Sequence, residues 1–500
     1  MQVGHRRRAL IQEAVEKHDI LHRPQIGVPA ALLRRWPHLP GFLPDYAVVP
    51  GAGPGLVAGE ILEEPWTAPA FAGAQRPVAL VFPGLPRTEA TPDPDLLAAM
   101  LGCDPAPLAA ALPYTRFACP FTGRPLAAEE AVAILALWRG RAAENHRVKF
   151  LLHMQKWKRR DIGHVFGTGA GHPPFAETPA EAMRPGAVVA AWAARVTAQD
   201  EALAARQGTE IWRVEDGFLR SVGLGVNFAP AASLAVDPLG IHYDPSRPSL
   251  LETILAQTDF TPGLQARAAA LRGAIAARNI TKYNVAGQAV PLPPSPGRAR
   301  LLVVGQVEDD ASIRLGAAEI RTNLGLLAAV RAANPDAFIA FKPHPDVETG
   351  YRRGYVPDRA ALRYADTVTR APIGGLFGQV QALHSITSLA GFEALLRGLS
   401  VTCWGRPFYA GWGLTTDMAP PPRRGRALSL DALVAGCLIL YPRYHDPVTQ
   451  LPCTPEIVLA RLADPAAWPA LPAGRRAYLL WWKFQGRLLK LARQTGVWRR

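Results

Sequence analysis

Four short stretches of this chain hold residue types that can do chemistry. Glu215 and Asp216 stand directly before Gly217, at the end of the apolar run Ile211-Trp212-Arg213-Val214. A glycine there permits a tight turn, so both carboxylates can project into a cleft; the alternative is an Asp that caps the next segment. The loop runs on through Phe218, Arg220, Gly223 and Gly225, a Gly-spaced stretch with an Arg that can bind an anion. Gln306-Val307-Glu308-Asp309-Asp310 follows a second apolar run. Three adjacent carboxylates repel one another, which disfavours a purely structural role, and Arg314 is placed to pair with one of them; a solvated acidic loop is the alternative. Lys342-Pro343-His344-Pro345 ends a third run. Lysine is scarce in this chain, so one at a strand end suggests a point charge aimed at a phosphate or an acid. The two prolines fix the backbone that presents His344, and a rigid surface turn is the other reading. In the fourth stretch, Thr387 and Ser388 precede Gly391 and Glu393 at a helix start. Backbone N–H groups and Ser388 there suit a phosphate and Glu393 suits ribose hydroxyls, unless Thr387 or Ser388 simply caps the helix.

The elements that must position these residues alternate. Strands are expected at 148–152, 187–192, 210–214, 299–304, 337–341 and 401–404, each a short apolar run. Helices are expected at 126–138, where Val132, Leu135 and Trp138 lie at helical spacing, and at 198–206, 249–257, 264–278, 320–333 and 391–397. A Pro-rich linker, 290–297, divides the alternating set in two. The fold class is therefore α/β, with two doubly wound domains facing across a cleft lined by strand C-terminal ends. The expected divisions are an irregular Pro- and Gly-rich region at 1–120, a first domain at 121–290, a second at 298–465 and an amphipathic helix at 470–500. The loop Pro407-Phe408-Tyr409-Ala410-Gly411-Trp412-Gly413 either stacks a base or sugar or packs between domains. In two-domain nucleotide-sugar transferases the C-terminal domain holds the nucleotide with such an order of motifs.

Composition bounds the partners. The formal charge is +14 and 55 residues are Lys or Arg, of which eight are Lys. Such a surface suits nucleotides, phospholipid headgroups or anionic polysaccharide. No zinc finger, basic region or aromatic-interleaved RNA motif points to nucleic acid. The five cysteines are scattered without a CxxC pair, which suggests neither a disulfide framework nor a zinc site. No stretch approaches 18 uncharged apolar residues. The N-terminus lacks the apolar core of a signal peptide, so a cytoplasmic location with peripheral membrane contact is expected. The segment 478–493, with Trp481, Trp482, Lys483, Arg487 and Lys490, reads either as an interfacial membrane anchor or as a helix packed back on the domains.

Taken in order, the motifs resemble the capsular polysaccharide β-Kdo glycosyltransferase family of the KpsC type, Kdo being 3-deoxy-D-manno-oct-2-ulosonic acid. The stretches that carry the resemblance are 212–225, 239–249, 305–316, 342–347, 388–396, 401–417 and 441–444. The resemblance implies a GT-B fold, CMP-Kdo as donor, no further cofactor and retaining transfer of β-Kdo. It implies as partners an oligo-Kdo acceptor on lyso-phosphatidylglycerol, the inner-membrane surface and other capsule assembly and export proteins. Members usually carry two transferase modules; this chain has room for one, most similar to the second, with 1–120 in the place of the first. The family's Gln-x-x-x-Asp pattern falls on Gln306 and Asp310, which makes Asp310 the nucleophile and Asp309 the fallback. Glu215, with Asp216 beside it, is then the base for the acceptor hydroxyl. Lys342 and His344 would bind the CMP phosphate or donor carboxylate, Ser388 phosphate and Glu393 ribose, with no metal required. A non-catalytic scaffold that binds CMP-Kdo, and a transferase for another CMP-activated ulosonic acid, are the competing readings.

Overall fold

The structure, a computed structural model, describes residues 25–28, 47–50, 79–81, 115–168, 171–222, 230–282, 284, 290–348, 350, 352–464, 466 and 468. The expected helix at 470–500, Gly223, Gly225 and most of 1–120 lie outside the described residues. The chain divides into two compact units, 1–148 with 162–174 and 449–453, and 149–161 with 175–448 and 454–500.

In the first unit, short strands at Gln25–Val28, Ala47–Pro50, Ala79–Val81 and Thr115–Phe117 precede a helix at Ala128–Arg147. That helix runs nine residues past its expected end at 138, and His146 and Arg147 in its last turn complement its negative pole. Asn145 in that turn donates to the carbonyls of Val165 and Gly167.

The second unit holds two sheet-and-helix regions. The first is built on β1 (Val148–Leu152), β2 (Phe175–Ala176), β3 (Val188–Trp192), β4 (Glu210–Asp216) and β5 (Ser233–Asp237), in the order β5-β4-β3-β1-β2. β3 and β4 run parallel, whereas β5 runs antiparallel to β4. Helices α1 (Ala198–Gln207), α2 (Leu250–Gln257) and α3 (Pro262–Ala277) belong to this region. Each opens on a hydroxyl that accepts an otherwise unmet N–H: Thr197 from Asp200, Ser249 from Glu252 and Thr261 from Leu264. α1 closes on Gly208 at φ +63°, a left-handed conformation suited to glycine.

The second region contains β6 (Arg300–Val304), β7 (Phe338–Lys342), β8 (Thr367–Val368), β9 (Ala382–Ser385), β10 (Ser400–Cys403) and β11 (Thr416–Asp417). All pairings are parallel and the order is β8-β7-β6-β9-β10-β11. This is the doubly wound order whose switch point falls between the first and fourth strands, here β6 and β9. Helices α4 (Ala311–Gly316), α5 (Asn323–Ala333) and α6 (Leu389–Leu395) connect the strands. Leu302, Val303, Ile339, Ala340 and Leu383 are fully buried. Both faces of the central strands are thus covered, which is why they read as unbroken apolar runs rather than alternating ones.

The chain does not stay in the second region to residue 465 as expected. Strand Pro442–His445 returns to the first sheet and pairs antiparallel with β5. Arg272 on α3 meets Asp431 at 2.8 Å, and Arg267 meets Glu456 of α7 (Pro455–Ala463) at 2.7 Å. A pairing between residues some 200 positions apart leaves no local signal, so the boundary was not readable from periodicity.

Asp237, fully buried at the end of β5, anchors the loop that follows. Its Oδ1 accepts from the N–H groups of Leu239, Gly240 and Leu250 at 2.9–3.0 Å, and its Oδ2 from the Tyr441 hydroxyl at 3.0 Å. Asp237→Ala strands all these donors in a dry environment. The expected loss is about 3 kcal/mol or more of unfolding free energy, measured as a lower urea midpoint at unchanged slope.

Candidate active site

Between the two sheets of the second unit lies a cleft of about 1950 Å³, lined from both. On the second-region side it opens at the β6/β9 switch point. Gln306, just past β6, is buried there. Its side-chain Nε2 donates to Thr387 Oγ1 at 3.0 Å and its Oε1 accepts from Thr387 N–H at 2.9 Å. Both ends of the amide thus tie the loop after β6 to the loop after β9, a positioning task. Gln306→Leu keeps the bulk and removes both bonds; about 2 kcal/mol of stability should be lost, read by thermal melting.

The acidic triplet resolves its repulsion by divergence. Glu308 accepts from Asn323 N–H at 2.7 Å. Asp309 faces Arg352 at 3.3 Å. Asp310 caps α4, its Oδ1 accepting from Ser312 N–H at 3.0 Å and Ser312 Oγ at 2.8 Å, and its Oδ2 lies 3.9 Å from Arg352. The cation expected from Arg314 is supplied by Arg352; among the described residues Arg314 makes no such pair. Asp309 and Asp310 both line the cleft.

Lys342 is the last residue of β7 and is 8 % exposed. Burial pushes its pKa down, with Glu348 partly opposing, so an anion brought beside it would restore its charge preference. His344 accepts the Asp346 N–H on Nδ1 at 3.1 Å. The neutral ring therefore carries its proton on Nε2 as a donor. Desolvation lowers its pKa, and Asp346 and Asp310 oppose that shift. Ser388 caps α6 through Ala390 N–H at 3.2 Å. Glu393, buried in the same helix, accepts from Lys282 N–H at 2.6 Å, and desolvation raises its pKa. The loop at 407–413 takes its packed alternative: Tyr409 and Trp412 are buried, the Tyr409 hydroxyl donates to the Ser388 carbonyl at 2.6 Å, and Phe408 stacks on Phe218 at 4.5 Å. A Cβ on Gly391 would fall 2.2 Å from the Tyr409 oxygen, so only glycine allows this packing.

On the first-region side, Glu215 and Asp216 are the last two residues of β4 rather than a turn beyond it, in register with Ala235 and Leu234 of β5. Gly217 serves space rather than turn geometry: a Cβ there would lie 2.3 Å from Ser233 Oγ. Asp216 is held from two sides, by Lys158 Nζ at 2.9 Å and Arg220 Nε at 2.8 Å. Those cations drive its pKa well below the usual carboxylate range against the cost of burial. Glu215 behaves oppositely. Desolvation, then the neighbouring Asp216 charge, pushes it up to about 7, although Lys158 opposes the shift. Two adjacent carboxylates thereby separate into a fixed anion and a proton acceptor tuned near neutrality. Arg220 is buried at the cleft wall and donates to Asp216 and Ser221.

Several lining residues were not singled out from sequence. Lys158 lies after β1 and stacks 3.6 Å from the Trp192 ring at the end of β3. Its partner Asp216 is 58 positions away, but the scarcity that flagged Lys342 also applies to Lys158 and Lys282. Three of the eight lysines line this cleft. His242, Tyr243 and Arg406 join them from loops whose roles depend on tertiary contacts.

A family model described as capsule polysaccharide biosynthesis protein matches residues 187–289 and 295–444. The capsule polysaccharide modification protein LipA of Neisseria meningitidis serogroup A is 40% identical over 346 residues, 68% of this chain and 49% of that protein. The lipopolysaccharide-processing protein LpsZ of Rhizobium meliloti is 48% identical over 247 residues, 48% of this chain and 56% of that protein. The chain spans about half the length of the curated relatives it matches. Two solved structures from Thermosulfurimonas dismutans KpsC, its beta Kdo 2,7 transferase and beta Kdo 2,4 transferase, are each 34% identical. They cover 63% and 64% of this chain and 99% of their own, with TM-scores of 0.53 and 0.55. The two regions of the second unit thus form a GT-B-like α/β architecture.

Proposed function

The chain belongs to the capsule polysaccharide biosynthesis family, and from that premise we propose that it is a retaining glycosyltransferase moving β-Kdo from CMP-Kdo to an oligo-Kdo acceptor on lyso-phosphatidylglycerol. One observation carries this reading: Glu215 and Asp310, from different sheets, line a single cleft that also holds Lys158, Lys282 and Lys342. The likeness to two Kdo transferases supports the donor class; because both match alike, it does not choose a linkage.

In the proposed reaction, Asp310 attacks the anomeric carbon and the bond to the phosphate oxygen breaks, its electron pair leaving with CMP. A glycosyl ester on Asp310 results. Glu215 then takes the proton of the acceptor hydroxyl while that oxygen attacks the same carbon and frees the Asp310 carboxylate. Asp216, pinned by Lys158 and Arg220, acts through its charge by raising Glu215. Lys342 and the Nε2–H of His344 meet the single phosphate, Ser388 assists there, and Glu393 meets the ribose. Gln306 holds the two loops in place. Among the described residues no helix is long and apolar enough to cross a membrane; contact with the inner-membrane surface and with capsule export proteins is part of the proposal, as is a cytoplasmic location.

The test is CMP release from CMP-Kdo generated in situ, with and without a β-Kdo acceptor, in competition with CMP-sialic acid. Acceptor-dependent release that CMP-sialic acid does not inhibit supports the reading. Release inhibited by CMP-sialic acid as by a substrate favours another ulosonic acid, and CMP binding without release favours a scaffold.

A further inference from the structure

Two residues that line the cleft each carry a fully buried donor with no acceptor among the described residues: the Tyr243 hydroxyl and the Arg406 Nε–H. An unmade buried hydrogen bond costs about 1–3 kcal/mol, and buried polar groups are nearly always satisfied. The two donors come from different regions, Tyr243 on the loop pinned by Asp237 and Arg406 on the loop after β10. A Cβ on Gly316, the last residue of α4, would lie 3.5 Å from the Tyr243 carbonyl and 3.7 Å from that of Arg406. The two loops therefore meet at the far end of the short helix that Asp310 caps. Neither side chain has a task in the reaction above.

We propose that Tyr243 and Arg406 seat a carboxylate of the sugar substrate, an inference that rests on the function proposed above. An ulosonic acid bears its carboxylate on the reacting carbon itself. The attacking Asp310 carboxylate and the substrate carboxylate are then forced to be neighbours, and donors are needed to hold the second anion. Arg406 supplies a fixed positive charge. Tyr243 supplies a neutral donor: burial, then the charges of Glu215, Asp310 and Asp244, push its phenol far above the ordinary range, so its proton stays in place. The seat leaves Lys342 and His344 to the phosphate.

The full chain, Tyr243→Phe and Arg406→Gln would each be titrated with free Kdo, its methyl ester and CMP by NMR. Wild type should bind the acid about tenfold or more tightly than the ester, the loss expected for a charge-assisted hydrogen bond. Each variant should lose that discrimination and keep CMP binding within about twofold. In turnover, the KM for CMP-Kdo should rise in each variant, which puts the donor's carboxylate in the seat; a rise in the acceptor KM alone overturns that placement. Variants that tell acid from ester as wild type does overturn the seat and leave the proposed function standing. A wild type that binds no CMP overturns that function, and the acid–ester comparison then decides the seat by itself.

Discussion

Asp310→Asn is expected to lower sugar transfer by roughly 10³-fold or more while leaving the protein as stable as wild type. The contrast matters because Asp310 has two tasks. It caps α4 through Ser312, and removing a cap costs about 0.5–2 kcal/mol. Asparagine caps as well as aspartate, so this substitution deletes the negative nucleophile and keeps the cap. Asp310→Ala removes both and should lose activity together with up to about 2 kcal/mol of stability. If Asp310 were only a cap, the asparagine variant would turn over like wild type. Asp309→Asn is the companion control: its carboxylate faces Arg352 from an exposed position, and the variant should keep most of its activity.

Glu215→Gln should lower the rate by about 10²–10⁴-fold, the usual contribution of a general base, and should abolish a pH dependence that wild type displays. The Glu215 carboxyl is pushed up to about 7 by burial and by Asp216. The working base is its ionised form, so wild-type kcat/KM should climb as pH rises through about 7 and level off above. Stability moves the other way. The unfolded chain releases this proton near 4.5, the ordinary value, whereas the folded chain retains it to about 7. Folded protein thus binds more protons between those values, and stability falls as pH rises through them. Glutamine removes that penalty: the variant should melt higher than wild type at pH 8 and alongside it at pH 4. A variant that is less active yet more stable at alkaline pH is the mark of a functional rather than structural carboxylate. Asp216→Asn should instead destabilise above pH 4, because Lys158 and Arg220 lose their partner.

Much of this arrangement was legible in the sequence. β6 and β7 are short, apolar and buried along nearly their whole length, so each reads as an apolar run with its chemistry at the end, Gln306 after β6 and Lys342 closing β7; the two-residue strands β8 and β11, and β9 with its His384, carry no such run. The helices themselves were legible, α1 starting at 198 as expected, but α3 and α5 start at 262 and 323 rather than 264 and 320, set by the Thr261 and Thr322 hydroxyls that the apolar spacing did not single out. What escaped was set by non-local pairing. Glu215 and Asp216 have low strand propensity, and only the ladder to β5 keeps them extended. The return of Pro442–His445 to the first sheet and the approach of Lys158 to Asp216 depend on the same kind of contact. Tyr243 and Arg406 became visible only as buried donors without acceptors, a property with no sequence signature.

The most direct measurement is mass spectrometry of a short β-Kdo acceptor after incubation with CMP-Kdo generated in situ, using wild type and Asp310→Asn. A gain of one Kdo with wild type, absent with a variant that melts alike and still binds CMP, is the result this mechanism predicts. Equal gain with both would remove Asp310 from the chemistry. No gain with either, across acceptors of different terminal linkage and despite CMP binding, would contradict the transferase itself.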